Sequence, residues 1–311
     1  MLKDYVKAVR PDDGELSARL DEERSKLFAS QMKIKEAGLP VMVIFEGWGA
    51  AGKGSVLGKI IKNIDPRFFK VKTYAAPTKE DKRYPFLYRY MKDIPEKGKF
   101  VFYDTYWMEE ITDARIARKM DDEDYEDKID SITRTERSLV DNGYLIMKFF
   151  FQIGKKEQKR RLDFLLSDED TEWRVDKNDL HENKHYDESL EVYDKYLKDT
   201  NSPTAPWYII DAKDKKLAEL QVLEFLNQGI DTALKNKGLA APILQNTFPL
   251  KKTQLLKEIE LKDKTLTDEE YDKKLDDLQD ELSQLHNKLY RKKIPVIIAY
   301  EGWDAAGKGG N

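Results

Sequence analysis

The residues Gly47-Trp48-Gly49-Ala50-Ala51-Gly52-Lys53 fit the first seven positions of the phosphate-binding pattern GxxxxGK. Glycines at these spacings let the backbone curl until several N–H groups point at one centre. A following helix adds its positive N-terminal end, and the lysine ammonium reaches terminal phosphates. The stretch Gly47 to Ser55, through Gly49, Ala50, Ala51, Gly52, Lys53 and Gly54, is therefore the expected phosphate cradle. The position after the lysine is Gly54, where most loops of this type place a Ser or Thr hydroxyl on Mg²⁺. Ser55 comes one residue late. A carboxylate inside the loop is the simplest substitute, but the loop has Gly49 at the place where one would sit.

Asp104 closes the apolar run Lys99 to Tyr103. There it can hold a metal or orient a nucleophile, although an aspartate at a strand end also suits a turn or a cap; the loop upstream favours the first use. Lys155 to Arg161, KKEQKRR, places five cations within seven residues at a helix start. Such a cluster reads either as a solvated helix face or as a lid over phosphates, and its density favours polyanion contact.

These residues need a scaffold, and the chain supplies apolar runs alternating with helical patterns. Val41 to Phe45, Phe69 to Tyr74, Lys99 to Tyr103, Tyr144 to Ile153 and Trp207 to Ile210 read as strands. Helical stretches lie between them: about Gly52 to Asn63, Asp122 to Asn142, Lys155 to Leu166, Tyr186 to Lys198 and Asp214 to Gln228. The alternation predicts a parallel sheet covered on both faces, a three-layer α/β/α domain.

An internal repeat sets the domain limits. Leu39 to Ser55 (LPVMVIFEGWGAAGKGS) and Ile294 to Gly310 (IPVIIAYEGWDAAGKGG) agree at ten of seventeen positions, 255 residues apart. The second loop carries Asp304, Gly307 and Lys308, with Gly309 after the lysine. This predicts one whole unit over 1–235, a linker over 236–266 broken by Gly238, Pro242 and Pro249, and over 267–311 a helix, a strand and the loop that open a truncated second copy. The chain then reads as a fragment of a longer tandem protein. Thr267 and Glu270 form a capping box, and Leu275, Leu278, Leu282, Leu285 and Leu289 recur at helical spacing. Their stripe suits packing within the chain or a dimer seam, so a homo-oligomer stays open. Leu16, Leu20, Leu27 and Phe28 mark a looser counterpart before the first loop.

Composition narrows the field. The 311 residues are 37% charged and carry a net charge of −4. That balance gives no global attraction to nucleic acid or anionic membrane, so a polyanion site must be a local patch. Without cysteine, thiolate chemistry and Cys-type zinc sites are excluded. His181 and His185 stand four apart, as helical metal ligands can, but the setting is polar and no third ligand is evident. The start, MLKDYVKAVR, lacks a signal-peptide core and no apolar run suits a membrane span; the expected location is cytoplasmic.

Taken in order, EGWGAAGKGS, PTKEDKRYPFLYRYMKDIPEKGKFVFYD, NGYLIMKFFFQIGKKEQKRRL and SPTAPWYIIDAKDKK resemble the polyphosphate kinase 2 family between residues 15 and 230. The resemblance implies a P-loop kinase-like fold with a helical lid, moving phosphoryl groups between inorganic polyphosphate and nucleotides. Two units in tandem resemble the fused members, which phosphorylate AMP to ADP with polyphosphate as donor and Mg²⁺ as cofactor. Carried over by position, Lys53 contacts donor phosphates and Asp104 is the Walker B acid and metal ligand. Arg160, Arg161 and Arg174 are lid cations, with Arg161 in the catalytic set. Arg89 lies near the phosphate or nucleotide, and Lys148, in a stretch distinctive of the family, belongs with the lid and nucleotide side.

The departures from the family pattern matter as much. The loop aspartate of the family is Gly49 here. Where members read DRSWYNR this chain reads DTYWMEE, so Thr105 and Glu110 replace two arginines, and a further lid arginine is Leu165. One transition-state arginine is worth roughly 10³ to 10⁵ in rate, so the first unit is expected to be weak or inactive and to support the second. Alternatives are a slow but functional first unit, a non-catalytic polyanion- or nucleotide-binding and dimerisation domain, and an ATP-using nucleotide kinase. Gly54 and Gly309 speak against the last.

Overall fold

The computed structural model describes residues 1–236 and 266–304. The chain divides into two units, Met1–Ile243 and Leu244–Asn311, and each is described by itself.

In the first unit five parallel strands form one sheet in the order β2-β3-β1-β4-β5. They are β1 (Val41–Gly47), β2 (Phe69–Lys72), β3 (Phe100–Asp104), β4 (Leu145–Gln152) and β5 (Trp207–Asp211). The central strand β1, VMVIFEG, is buried over its first six residues, as the apolar run Val41 to Phe45 requires when helices cover both faces. The edge strand β2, FKVK, is half exposed. Phe45 pairs with Asp104 on one side and with Phe149 on the other. The register thus brings the ends of β1 and β3 to the same edge of the sheet, where open parallel sheets place their ligands.

Helices α1 (Asp13–Ala37), α2 (Lys53–Ile61), α3 (Tyr88–Met91), α4 (Trp107–Ile116), α5 (Asp122–Asp141), α6 (Lys155–Leu166), α7 (Lys177–Lys184), α8 (Tyr186–Asp199) and α9 (Lys215–Lys235) complete the unit. Successive side chains of a strand face opposite layers, and β4 shows both. Met147 lies against α9 at Gly229, whereas Lys148 reaches Glu136 of α5 and the Thr200 carbonyl at the end of α8. The expected three layers follow. The apolar face of α1, with Leu16, Leu20, Leu27 and Ile34, packs along α9. Gly38 at φ 61° closes α1, its N–H returning to the Ile34 and Lys35 carbonyls.

Lys148 corrects the sequence reading. Its side chain is fully buried, bonded at 2.7 Å to Glu136 Oε2 and at 2.8 Å to the Thr200 carbonyl, and lies over the Trp207 ring. A lysine on a strand covered on both faces points into a layer and cannot reach a lid. Burial lowers its affinity for a proton and raises that of Glu136, while the pairing opposes both shifts.

In the second unit, α10 (Asp268–Lys292) begins at the expected capping box, Thr267 Oγ1 accepting from Glu270 N and Glu270 Oε2 from Thr267 N. Its leucine stripe is exposed, at Leu275, Leu278, Leu282 and Leu285. Ile294 to Tyr300, expected as a strand, joins no strand ladder among the described residues; a parallel strand needs neighbours for its backbone groups. Asp304 is exposed in a turn. Gly307, Lys308, Gly309 and nearly all of the expected linker fall outside the described residues. Among the described residues, no helix is long and apolar enough to cross a membrane.

Candidate active site

The loop between β1 and α2 is held by contacts from four directions. Gly47, at φ 127°, runs so close to β4 that a side-chain carbon there would meet the Phe151 backbone N and O at 2.5 Å; only glycine fits. Trp48 is buried beside it. Its ring stacks on Tyr186 at 4.0 Å and its indole N–H donates to Gln152 Oε1. Ala50 takes the left-handed conformation at φ 58°, an uncommon state for a residue with a side chain. Lys53 curls back and donates to the Gly47 carbonyl at 2.7 Å and to the Trp48 carbonyl at 3.3 Å.

Arg161, on α6, binds the same loop and is only 9% exposed. Its Nη1 donates to the Ala50 and Ala51 carbonyls, its Nη2 to the Ala212 and Lys213 carbonyls, and its Nε to Glu157. Those five bonds match all five donors a guanidinium carries. The expected lid cation is therefore a brace that ties the loop to the β5–α9 connection. Phosphate contact would require it to give up these bonds.

Asp104 ends β3 against the α2 start, with its Oδ2 3.3 Å from where a side chain at Gly54 would begin. Burial raises its pKa and Lys53 opposes the shift. Thr105 follows at φ 67° and donates its N–H to the Phe45 carbonyl. Glu46, buried at the end of β1, accepts the Tyr106 N–H at 2.7 Å. Burial first, and then the nearby Glu109, push its pKa up to about 8.

The feature that sequence reasoning missed stands opposite the loop on α7. Glu182 accepts the Gly49 N–H at 3.1 Å, Gln158 Nε2 at 2.8 Å and the Tyr193 hydroxyl at 2.6 Å. Asp179 Oδ1 occupies the space a side chain at Gly49 would need. Burial raises the pKa of both carboxylates, with Lys53 opposing. A cradle N–H that ought to face phosphate thus already serves a carboxylate of the same chain. The sequence did carry a signal: Asp176 and Asp179 form a capping box, which fixes the start of α7 and with it the face that holds Glu182.

A cavity of about 1000 Å³ opens over the loop. Gly49 to Ser55, Asp104, Arg160 and Arg174 line it, together with Lys213 and Lys215 from the β5–α9 connection. These two lysines were not singled out from sequence, although they lie in the quoted KDKK stretch. Arg160 is exposed and paired with Glu157 at 2.7 Å. Arg174 lies beside the Trp173 ring. Leu165, at the position of the absent arginine, is also on the wall. Arg89 is not on this wall: it donates to the Ala75 carbonyl and sits by the Tyr74 and Tyr90 rings. Glu110 accepts the Tyr90 hydroxyl at 3.0 Å. His181 and His185 stand ring to ring at 4.4 Å.

A family model described as polyphosphate kinase 2 matches residues 10–238 and again 265–311. The chain is 30% identical over 303 residues to a polyphosphate:AMP phosphotransferase of Pseudomonas syringae pv. tomato, covering 96% of this chain and 61% of that protein. It is 29% identical over 294 residues to the protein of the same description from Pseudomonas aeruginosa, covering 92% and 58%. The chain thus spans only about three fifths of these relatives' length. Among solved structures, polyphosphate kinase 2 from Arthrobacter aurescens TC1 superposes with a TM-score of 0.70 at 24% identity, covering 80% of this chain and 89% of that one. That likeness establishes the fold.

Proposed function

The chain belongs to the polyphosphate kinase 2 family, and from that premise we propose that it is the first part of a phosphotransferase moving a phosphoryl group from polyphosphate to a nucleoside monophosphate, AMP to ADP. In this reading the first unit contributes little turnover and supports a second. The observation that carries it is the state of the P-loop. Lys53 and Asp104 remain in place, but position 49 is glycine and its side-chain space is filled by Asp179. Phosphoryl transfer depends on positioning and on neutralising charge at the transferred group. The passage from β3 into α4 offers Thr105 and Glu110 instead of cations.

Among the described residues no group of three or more His, Asp or Glu side chains encloses a metal. Asp104 and Asp179 share the cavity with Lys53, and this donor set fits Mg²⁺, which takes one or two carboxylates and completes its shell with substrate phosphates and water. Bound there, Mg²⁺ would neutralise charge on the phosphate oxygens. The chain's own part is to orient them with Lys53 and the loop amides.

The repeat, and the second family match over 265–311, support a tandem in which α10 and the apolar run to Tyr300 introduce another loop. The test is ADP formation from AMP, polyphosphate and Mg²⁺ by a longer protein carrying the second unit whole. Lys308→Ala abolishes it and Lys53→Ala lowers it modestly in this reading. The opposite pattern would move catalysis to the first loop.

A further inference from the structure

Two cavities meet at Lys53, and they carry opposite charge. The larger, about 1000 Å³, has Lys53, Arg160, Arg174, Lys213 and Lys215 on its walls. These cations come from separate elements (α2, α6, the 3-10 turn Glu172–Arg174, and the β5–α9 connection with the first residue of α9) and so are spread along the cavity. Three acids share those walls: Asp104 and Asp179 stand beside Lys53, and Asp214 is already engaged, capping α9 and paired with Arg10. The smaller, about 120 Å³, is lined by Lys53 and six carboxylates: Glu46, Glu109, Asp113, Asp176, Asp179 and Glu182. Gly49, Lys53, Thr105 and Asp179 border both.

Transfer between two phosphate compounds needs both anions at the lysine, roughly in line on opposite sides of the moving group. One side is equipped for that. The other, at about 120 Å³, falls below the roughly 300 Å³ at which small-molecule pockets begin, and beyond the shared Lys53 its lining offers an anion carboxyl groups and no further lysine or arginine. The carboxylates already strain against one another: burial, then Glu109 and Glu182, push the pKa of Asp113 up to about 7. Glu109 acts likewise on Glu46. A second phosphate would add to that repulsion.

We propose that the first unit is a single-anion site, taking an extended inorganic polyphosphate chain in the cationic cavity and excluding a nucleoside monophosphate from the acidic one. The inference rests on the reading of the loop as a polyphosphate site. It goes further in assigning the lost turnover to a missing acceptor, with donor binding retained. The unit then holds one end of a polymer whose other phosphates are free to be used elsewhere.

Calorimetric titration of the whole chain tests it, with a short polyphosphate of defined length and with AMP, each alone and in the presence of the other. Polyphosphate is expected to bind saturably and AMP not to bind under either condition. Lys215→Ala should weaken polyphosphate about tenfold, the factor that ~1.4 kcal/mol represents. Glu109→Gln, alone and with Asp113→Asn, should admit AMP, and thermal melts establish that each variant is folded. Saturable AMP binding by the unaltered chain, or no gain of AMP binding in either folded variant, overturns the inference and leaves the family reading standing. Failure of the folded chain to bind polyphosphate overturns the inference and the polyphosphate reading of the loop together.

Discussion

Replacing Arg161 with alanine separates two roles for the most deeply placed cation of the site. If it braces the loop, its removal strands four backbone carbonyls, those of Ala50, Ala51, Ala212 and Lys213, while Glu157 keeps its pairing with Arg160. At about 1 kcal/mol net for each carbonyl bond, the cost is about 4 kcal/mol. For a unit of this size each kcal/mol lowers Tm by roughly 2–4 °C, so the melt should fall by roughly 8–16 °C. Arg160→Ala provides the internal control, because Arg160 is exposed and bonded only to Glu157, and such surface pairs are worth about 0–1 kcal/mol. The assay is a thermal melt followed by circular dichroism, with polyphosphate affinity measured well below the transition. An unchanged Tm in Arg161→Ala with polyphosphate binding lost would refute the brace and restore the phosphate-contact role.

Other perturbations follow from the same geometry. Lys148→Ala leaves Glu136 buried and unpaired, and urea unfolding should report a loss of about 3–5 kcal/mol; adding Glu136→Gln should recover part of it. Gly49→Asp places a side chain into Asp179, so it should destabilise by about 1–3 kcal/mol without creating transfer activity, and Asp179→Ala in the same chain should relieve the clash. Stability should also fall as pH rises from about 5 to about 8. Glu46 and Asp113 have folded pKa values raised to about 8 and about 7, so through this window the native state holds protons that the unfolded chain has released. Melts across that range should therefore decline, and Glu46→Gln should flatten the slope. The carboxylates held low, Glu157 and Asp194 at about 2, contribute stability above the ordinary carboxylate range and lose it only as pH falls through it.

Much of the frame was legible because it depends on local pattern. All five apolar runs are strands, and Asp122 to Asn142 and Lys155 to Leu166 are helices within a residue of expectation. The loop and Asp104 could be placed because a strand end and a helix start fix them. What escaped depends on pairs distant in sequence. Glu182 lies 133 residues from Gly49, and Arg161 lies 110 from Ala51. Nothing in a cluster such as KKEQKRR distinguishes a cation bound to phosphate from one bound to carbonyls. Arg160 and Arg161 are adjacent, yet one is exposed and the other is spent on the loop. Lys148 was readable in principle. A lysine inside YLIMKFFFQI cannot face water if the strand is covered on both sides, so it needed a buried acid. The lone run Ile294 to Tyr300 shows the converse, since a strand pattern that joins no ladder among the described residues leaves no strand.

The central claim, that this unit keeps a donor site and has lost its acceptor, is tested most directly by following ADP from AMP, polyphosphate and Mg²⁺ with the 311-residue chain alone. The account predicts no ADP above background at enzyme concentrations that bind polyphosphate fully, even in a single-turnover experiment. Sustained ADP formation abolished by Lys53→Ala would contradict it, showing that a P-loop whose missing carboxylate is replaced from α7 still transfers phosphate to a nucleotide.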